Sequence, residues 1–257
     1  MILRRIREHV SHHNWFAVAI DLAIVVIGVF FGTQANNWNQ ARLDRERAGE
    51  ERAMLIDDVQ ANQQNLAMRR QYYAWVRSEA LKTLAALDQP SSALGEQFLI
   101  DSYQASQILP WSMKRNTYDQ IIASGGIGNL GDAALRDKVS NYYVSSDVTG
   151  ANLAYVMPYR ETLRRVMPYR VQLQVRTLCG EKITENSRGE PMMVLPGRCS
   201  IQLDPATVSQ AVNQIRGSPG LSLDLNRLLV DLDQKLVSVA VIARRANALE
   251  RALRQAS

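Results

Sequence analysis

Residues 15–35 read WFAVAIDLAIVVIGVFFGTQA, and this stretch decides how the rest of the chain is interpreted. Asp21 is its only charged residue. As an α-helix, a run of this length spans about 30 Å, the thickness of the hydrocarbon core of a bilayer. Trp15 and Trp38 flank the run, as tryptophans do at membrane–water interfaces. The stretch therefore predicts a transmembrane anchor over residues 15–38.

Two other interpretations of the same stretch remain open. A cleaved signal peptide fits the basic start and the apolar core of residues 22–31, followed by Thr33-Gln-Ala35. A buried helix of a soluble protein fits the hydropathy alone. We favour the anchor, because the apolar run is long enough to cross a membrane.

The composition excludes several classes of protein. The 257 residues are 46% hydrophobic and 21% charged, with a formal net charge of +5, so the chain can bury a core. All three histidines precede residue 14, which leaves the rest of the chain without a histidine base, nucleophile partner or metal ligand. We therefore predict a protein that is not an enzyme, with no catalytic residue, no cofactor and no metal.

The two cysteines, Cys179 and Cys199, enclose a polar segment that is rich in turn-forming residues and has room for a small hairpin. They lack the spacing of a zinc site, so the alternatives are a disulfide or two buried thiols. We favour the disulfide. A disulfide requires an oxidising compartment, which places residues 39–257 outside the cytoplasm and residues 1–14 inside as a tail. Lysine and arginine counts on the two sides of the span do not decide the orientation.

One face of the predicted anchor differs from the others. Asp21, Gly28 and Gly32 recur at helical spacing, and small residues allow two membrane helices to approach closely. This face predicts association with a second copy or with another membrane protein. The alternative is that Asp21 reaches the membrane surface and the glycines are incidental.

The remaining sequence predicts an all-α fold, an antiparallel helical bundle. A long helix or stalk is predicted over 41–87, with one face formed by Leu55, Val59, Asn62, Leu66, Arg69, Tyr73, Val76, Ala80, Leu84 and Leu87. A second long amphipathic helix is predicted over 221–254, with an apolar stripe at Leu225, Leu228, Leu232, Leu236, Val239, Ala243, Ala246, Leu249 and Leu253.

Shorter helices are predicted between these two. They cover 93–109 and 114–124, then a segment from the N-cap Asp132 to Cys179, which Pro158 and Pro168 must kink or break. The last begins at Asp204-Pro and ends at Gly217. Residues 126–131 match the glycine pattern of dinucleotide sites, but they follow a predicted helix rather than a strand. We therefore interpret these glycines as a turn between helices.

Basic residues concentrate in one stretch, where Arg160, Arg164, Arg165 and Arg170 alternate with tyrosines. The favoured interpretation is an exposed basic face. The functional alternative is a surface for an anionic ligand or an acidic partner. No recognisable module accompanies the stretch, so nucleic acid is not an expected partner.

Two segments resemble a family of bacterial single-pass membrane proteins that carry an N-terminal anchor helix and a helical extracytoplasmic domain. The first is Ile24-Val-Val-Ile-Gly-Val-Phe-Phe-Gly-Thr-Gln-Ala-Asn-Asn-Trp-Asn39. The second is Thr117-Tyr-Asp-Gln-Ile-Ile-Ala-Ser-Gly125, followed by Leu135-Arg136 and Tyr142-Tyr143. The resemblance covers about a sixth of the chain. It implies a retained anchor and no known activity, substrate or cofactor.

Together these observations predict a non-enzymatic binding, scaffold or accessory protein of the bacterial inner membrane, with a periplasmic domain. The alternatives are a sensor-like domain that binds an anion through residues 160–176, and a secreted helical protein left by signal-peptide cleavage.

Overall fold

The computed structural model describes residues 15–185 and 191–256. The predicted cytoplasmic tail, residues 1–14, and the middle of the cysteine loop, residues 186–190, lie outside the described part. Within that part the fold is all-α, as predicted, with one small two-stranded sheet.

The first helix, α1 (Trp15–Leu87), is continuous over 73 residues, which corresponds to about 110 Å. The predicted anchor and the predicted helix over 41–87 are therefore a single helix. From Ala48 onward its apolar face is buried by other helices. Before that point no large apolar side chain of the helix is buried.

The last helix, α8 (Leu221–Gln255), packs against α1 along most of the bundle. Arg77 of α1 pairs with Asp233 at 2.5 Å, and Gln60 of α1 donates to Glu250 at 2.9 Å. The residue number rises along α8 as it falls along α1, so the two helices are antiparallel, as predicted.

The buried face of α1 follows the predicted pattern, including its two polar positions. Leu55, Leu66 and Val76 are at most 1% exposed, and so are Asn62 and Arg69. The buried face of α8 differs from the prediction at two places. Lys235 and Ile242 are buried, whereas their neighbours Leu236 and Ala243 are only partly buried. The helix thus turns a lysine inward at a position where we expected leucine.

Six shorter helices and two single turns complete the helical part of the described chain. Two 3-10 turns (Ser91–Ala93 and Gly126–Asn129) accompany α2 (Glu96–Ala105), α3 (Asn116–Ser124), α4 (Ala133–Leu153), α5 (Pro158–Val166), α6 (Tyr169–Cys179) and α7 (Pro205–Arg216). The helix predicted over 93–109 is therefore shorter than expected at both ends.

Local sequence signals set several of these boundaries. Asp132 caps α4 and Asp204 caps α7, each accepting a backbone N–H at 2.8 Å, as predicted. Pro158 and Pro168 break the predicted segment to Cys179 into α4, α5 and α6, because proline cannot donate within a helix. Gly125 ends α3 with a φ of 74°, which glycine adopts without strain.

The cysteine loop is closed by a disulfide between Cys179 and Cys199, as predicted, with Cα atoms 5.5 Å apart. It holds a hairpin of β1 (Lys182–Glu185) and β2 (Pro191–Val194), antiparallel, with Lys182 opposite Val194. The side-chain amide of Gln104 donates to the carbonyl of Cys179. This hydrogen bond ties the base of the loop to α2.

Candidate functional site

The first candidate surface is the exposed apolar segment, residues 15–38 of α1. Its large hydrophobic side chains are between 44% and 76% exposed. An 18-residue window there has a mean hydropathy of 2.0, and none of it is buried within the protein. Among the described residues this is the one helix that is long and apolar enough to cross a membrane, a test that signal sequences also pass.

Asp21, Gly28 and Gly32 lie on one face of the exposed apolar segment, as their spacing predicted. A Cβ atom added at Gly28 or Gly32 would meet nothing within 4 Å. The face is therefore open in the described chain.

The arginines of the basic stretch lie in two different environments. Arg160 donates to the carbonyl of Ser106 at 2.6 Å, and Arg164 donates to the hydroxyl of the same residue at 2.9 Å. Arg164 also lies over the ring of Tyr103 at 3.6 Å, and burial lowers the pKa of its guanidinium. Both side chains stabilise the C-terminal end of α2, where backbone carbonyls carry partial negative charge.

Arg165 and Arg170 remain exposed and make no contact with the end of α2. The four arginines therefore do not form one continuous surface. Whether the exposed pair contacts an anion or an acidic partner stays a prediction.

A cavity of about 60 Å³ lies between the segment after α2, the α4–α5 connection and α8. Leu153, Met157, Leu228 and Leu232 give it an apolar wall. Tyr73, Arg160 and Lys235, from three different elements, are among the polar residues that line it. A pocket with an apolar wall and a few convergent polar groups is the usual form of a small-molecule site.

The lysine at this cavity is unusually buried. Lys235 is 8% exposed, pairs with Asp231 at 2.9 Å and donates to the carbonyl of Tyr155 at 3.2 Å. The carbonyl anchors its ammonium group at the α4–α5 connection. A charge in such surroundings is stabilised only where other groups compensate for its lost hydration.

Tyr73 and Arg69 form the α1 side of the same region. The guanidinium of Arg69 donates to the carbonyls of Leu109 at 3.5 Å and Pro110 at 2.6 Å. Tyr73 is 3% exposed, and within the described chain its hydroxyl has no well-aligned hydrogen-bond partner, although Arg69 lies beside it. A buried hydroxyl without a partner is rare in folded proteins.

A second buried polar cluster joins α1 to α2. Glu79 and Asp101 are each 6% exposed, and Lys82 pairs with Glu79 at 2.7 Å. Burial raises the pKa of the Asp101 carboxyl to about 6. The amide of Gln97, 2.5 Å from Asp101, opposes this rise, and the neighbouring Glu79 adds to it.

Sequence reasoning missed Lys235 and Asp101 because it assigned charged residues to the solvent face. For Lys235 a signal was present. The buried positions Leu228, Leu232, Val239, Ile242 and Ala246 alternate by three and four residues, and this rhythm places residue 235 in the core. No comparable signal marks Asp101, since its burial depends on how α2 packs against α1.

The glycine-rich segment after α3 is a turn between two helices, as predicted, and no strand precedes it in the described part of the chain. Across residues 15–185 and 191–256, no group of three or more His, Cys, Asp or Glu side chains is placed to bind a metal ion.

No family model, no curated protein and no solved structure matches the chain.

Proposed function

We propose that the chain is a single-pass membrane protein whose helical bundle serves a binding or scaffold role in the bacterial envelope. The exposed apolar segment is the observation that carries this proposal. Its thirteen large hydrophobic side chains lie outside the bundle core, from Trp15 to Trp38. Exposing that much contiguous apolar surface to water is unfavourable, whereas a bilayer covers it on all sides.

The continuity of α1 supports a fixed link between membrane and bundle. About nine residues separate Trp38 from Ala48, the first buried residue of α1, which corresponds to about 15 Å of helix. No glycine or proline interrupts residues 33–48. The bundle is therefore held close to the membrane surface by a helix without a hinge.

The disulfide supports an orientation. A bond between Cys179 and Cys199 is maintained in an oxidising compartment, so the bundle lies in the periplasm and the N-terminal tail in the cytoplasm. This orientation, the inner-membrane location and membership of the family named above belong to the proposal. No residue is assigned a catalytic role.

The face of Asp21, Gly28 and Gly32 is the proposed assembly surface. It is open in the structure, because nothing lies within 4 Å of a Cβ atom added at Gly28 or Gly32, so a second copy or another membrane protein can pack there. A carboxylate in a membrane segment is costly unless it faces protein or water, which favours a protein partner at Asp21.

The test replaces both glycines, Gly28→Ile and Gly32→Ile, in the full chain purified in mild detergent. We expect the double variant to lose self-association or its co-purifying membrane partner, as measured by cross-linking and by native mass. The matched control is Ala19→Ile with Ala23→Ile. These residues have the same spacing on the opposite face of α1, and the control keeps its assembly. Equal assembly of both variants would refute the proposed surface.

The compartment is tested separately by intact mass. Protein taken from membranes without reductant should be two hydrogen atoms lighter than reduced protein, since the disulfide is formed in place. Two free thiols in freshly isolated material would remove the argument for a periplasmic bundle and leave the anchor untouched.

A further inference from the structure

One side of α6 carries exposed arginines and exposed apolar side chains together. Tyr169, Arg170, Leu173, Arg176 and Thr177 are separated by three, four or seven residues, which places them along one side of the helix. All five are exposed, and the aromatic side chain of Tyr169 is 73% exposed. The buried residues of α6 lie on its other side. We refer to these five residues as the α6 outer face.

The two arginines of the α6 outer face have unused hydrogen-bond donors. Within the described chain, Arg170 and Arg176 make neither a hydrogen bond nor an ion pair. The carboxylate nearest in charge to Arg170 is that of Asp204, which is engaged as the cap of α7. Hydrogen bonds from Thr207 lower the pKa of that carboxyl, and Arg170 adds a smaller electrostatic contribution.

Arg176 adds to a region that is already positive. Burial lowers the pKa of the Arg164 guanidinium, and the charges of Arg160 and Arg176 lower it further. Three guanidinium groups are therefore close enough to repel one another. Because Arg160 and Arg164 use their donors on Ser106 at the end of α2, Arg176 is the member of this group that is open to a partner.

α6 is held at both ends, so its outer face is preorganised. Near its start, the side-chain amide of Gln172 donates to the carbonyls of Arg164 at 2.8 Å and Met167 at 2.7 Å. At its end, Cys179 is fixed by the disulfide and by the amide of Gln104, which donates to its carbonyl. A surface that is already ordered loses less conformational entropy on binding.

The side chains of the α6 outer face match those that dominate protein interfaces. Tyrosine and arginine are enriched among the residues that contribute most of the binding energy. A guanidinium pairs best with a carboxylate, through two parallel hydrogen bonds. Tyr169 and Leu173 need apolar contacts. A complementary surface therefore combines carboxylates with apolar side chains, as an acidic segment of a protein does.

The height of α6 above the membrane favours a protein over the headgroups of the anchoring bilayer. Glu181, just after α6, accepts from the hydroxyl of Tyr72 of α1 at 3.2 Å. The helix between Trp38 and Tyr72 is about 50 Å long, which is beyond the reach of the headgroups. This step rests on the proposed anchor, whereas the charge and the exposure of the α6 outer face do not.

We propose that the α6 outer face is a docking surface for an acidic segment of a partner protein. Carboxylates of the segment pair with Arg170 and Arg176, and its apolar side chains pack on Tyr169 and Leu173. Because the arginines are exposed, salt screens this association.

The experiment measures the binding of a labelled twelve-residue peptide to the full chain in neutral detergent by fluorescence anisotropy. The peptide consists of glutamates with two phenylalanines four positions apart, and its twin has glutamine in place of every glutamate. We expect the acidic peptide to bind at low salt with a dissociation constant below about 100 μM, and the twin to bind at least about tenfold more weakly. No binding of the acidic peptide, or equal binding of the two peptides, would overturn the proposal.

A competition arm separates a protein segment from a lipid headgroup. Glycerol phosphate, added at about 1 mM, carries the anionic group of a phospholipid without its acyl chains. We expect the acidic peptide to stay bound, and its displacement would show a site for small phosphate anions and overturn the proposal. The chain is in detergent throughout, so these results do not depend on whether residues 15–38 cross a membrane.

Two double variants locate the binding. Arg170→Glu with Arg176→Glu reverses both charges of the α6 outer face, and we expect the affinity for the acidic peptide to fall at least about tenfold. The matched control is Arg227→Glu with Arg251→Glu, which changes the net charge equally at exposed arginines of α8 and keeps the affinity. Equal losses in both double variants would refute the surface. So would unchanged affinity in the α6 variant, with its fold verified by circular dichroism.

Discussion

The two parts of α1 differ in apolar content, which is higher in residues 15–38 than in residues 48–84, and they meet opposite surroundings. In residues 15–38 the large hydrophobic side chains point in every direction, and each is at least 44% exposed. In residues 48–84 the buried apolar side chains share one face, where Leu55, Val59 and Val76 have no exposed surface, whereas Met54 and Leu81 are more than 40% exposed. Both the share of apolar residues and their distribution around the helix separate the two parts.

The two parts of α1 therefore require different surroundings. A helix that is apolar on all sides requires an apolar solvent, whereas a one-sided helix is covered by partner helices of the same chain. The second part also buries Asn62 and Arg69, and it can do so because both find partners. Asn62 donates to and accepts from the backbone of Lys114, at 2.8 and 2.7 Å.

The most direct way to test the contrast is to truncate one apolar side chain in each part. Leu66→Ala creates a cavity in the bundle core, and we expect the free energy of unfolding to fall by about 3 to 5 kcal/mol. Ile27→Ala removes a side chain that touches no other helix, and we expect the unfolding of the bundle to change by less than about 0.5 kcal/mol. Urea denaturation in detergent, followed by near-ultraviolet circular dichroism, measures both. Equal losses would show that residues 15–38 are packed into the bundle.

Removing the disulfide tests whether the stability of the bundle and the attachment of residues 15–38 to membranes are independent. The bond closes a loop with a sequence separation of 20, so replacing both cysteines by alanine should lower the free energy of unfolding by about 3 kcal/mol. If residues 15–38 are the membrane anchor, as proposed, attachment to membranes should not change. A double variant that leaves the membrane fraction would contradict the independence of the two parts.

The buried Glu79–Asp101 contact makes the stability of the bundle depend on pH. Folding raises the pKa of Asp101 to about 6 from an ordinary value of 3.8, so the folded state binds the proton more tightly. This group therefore adds stability as pH falls through 6, with the full gain reached below 3.8. We expect Asp101→Asn to raise stability at pH 7 by about 2 kcal/mol and to abolish this gain at low pH.

The check is a set of thermal unfolding curves between pH 4 and pH 7 for Asp101→Asn and for the unmodified protein. The two proteins should differ most at pH 7 and converge toward pH 4. A difference that grows as the pH falls would contradict the assignment.

Glu250, at the contact between α8 and α1, gives a smaller effect of the opposite sign. Hydrogen bonds from Gln63 and Gln60, with a contribution from Arg254, lower its pKa to about 2. Its stabilisation is complete above pH 4.5 and is lost as pH falls through 4.5 toward 2. Because the carboxylate is close to solvent, we expect Glu250→Gln to cost less than about 1 kcal/mol at pH 7. Urea unfolding at pH 7 and pH 3 should show a smaller difference at pH 3, and a larger one would contradict this role.

Much of the fold follows from local signals in the sequence. The apolar spacing on α1, the caps at Asp132 and Asp204 and the helix breaks at Pro158 and Pro168 each act within a few residues, and the structure confirms them. The cysteine pairing was also predictable, since the chain has only two cysteines and the polar segment between them allows a closed loop.

The candidate ligand site was not predictable to the same degree. Arg160 stood out in the sequence as part of a basic stretch, but its partner Ser106 and the cavity beside it depend on how α5 packs against α2. Lys235 and Tyr73 are separated from it by more than seventy residues in either direction along the chain. The antiparallel contact of α1 and α8, together with the packing of α5, brings all three to one cavity.

The central claim is that residues 15–38 lie in a lipid bilayer while the rest of α1 belongs to a folded bundle. Extraction of native membranes with alkaline carbonate tests it most directly, because this treatment releases proteins held only at the surface. We predict that the full chain remains in the membrane pellet and that Val25→Arg with Val26→Arg shifts it toward the supernatant, since each arginine at mid-span costs about 2.5 to 3.5 kcal/mol. Complete release of the unmodified chain into the supernatant would contradict the account.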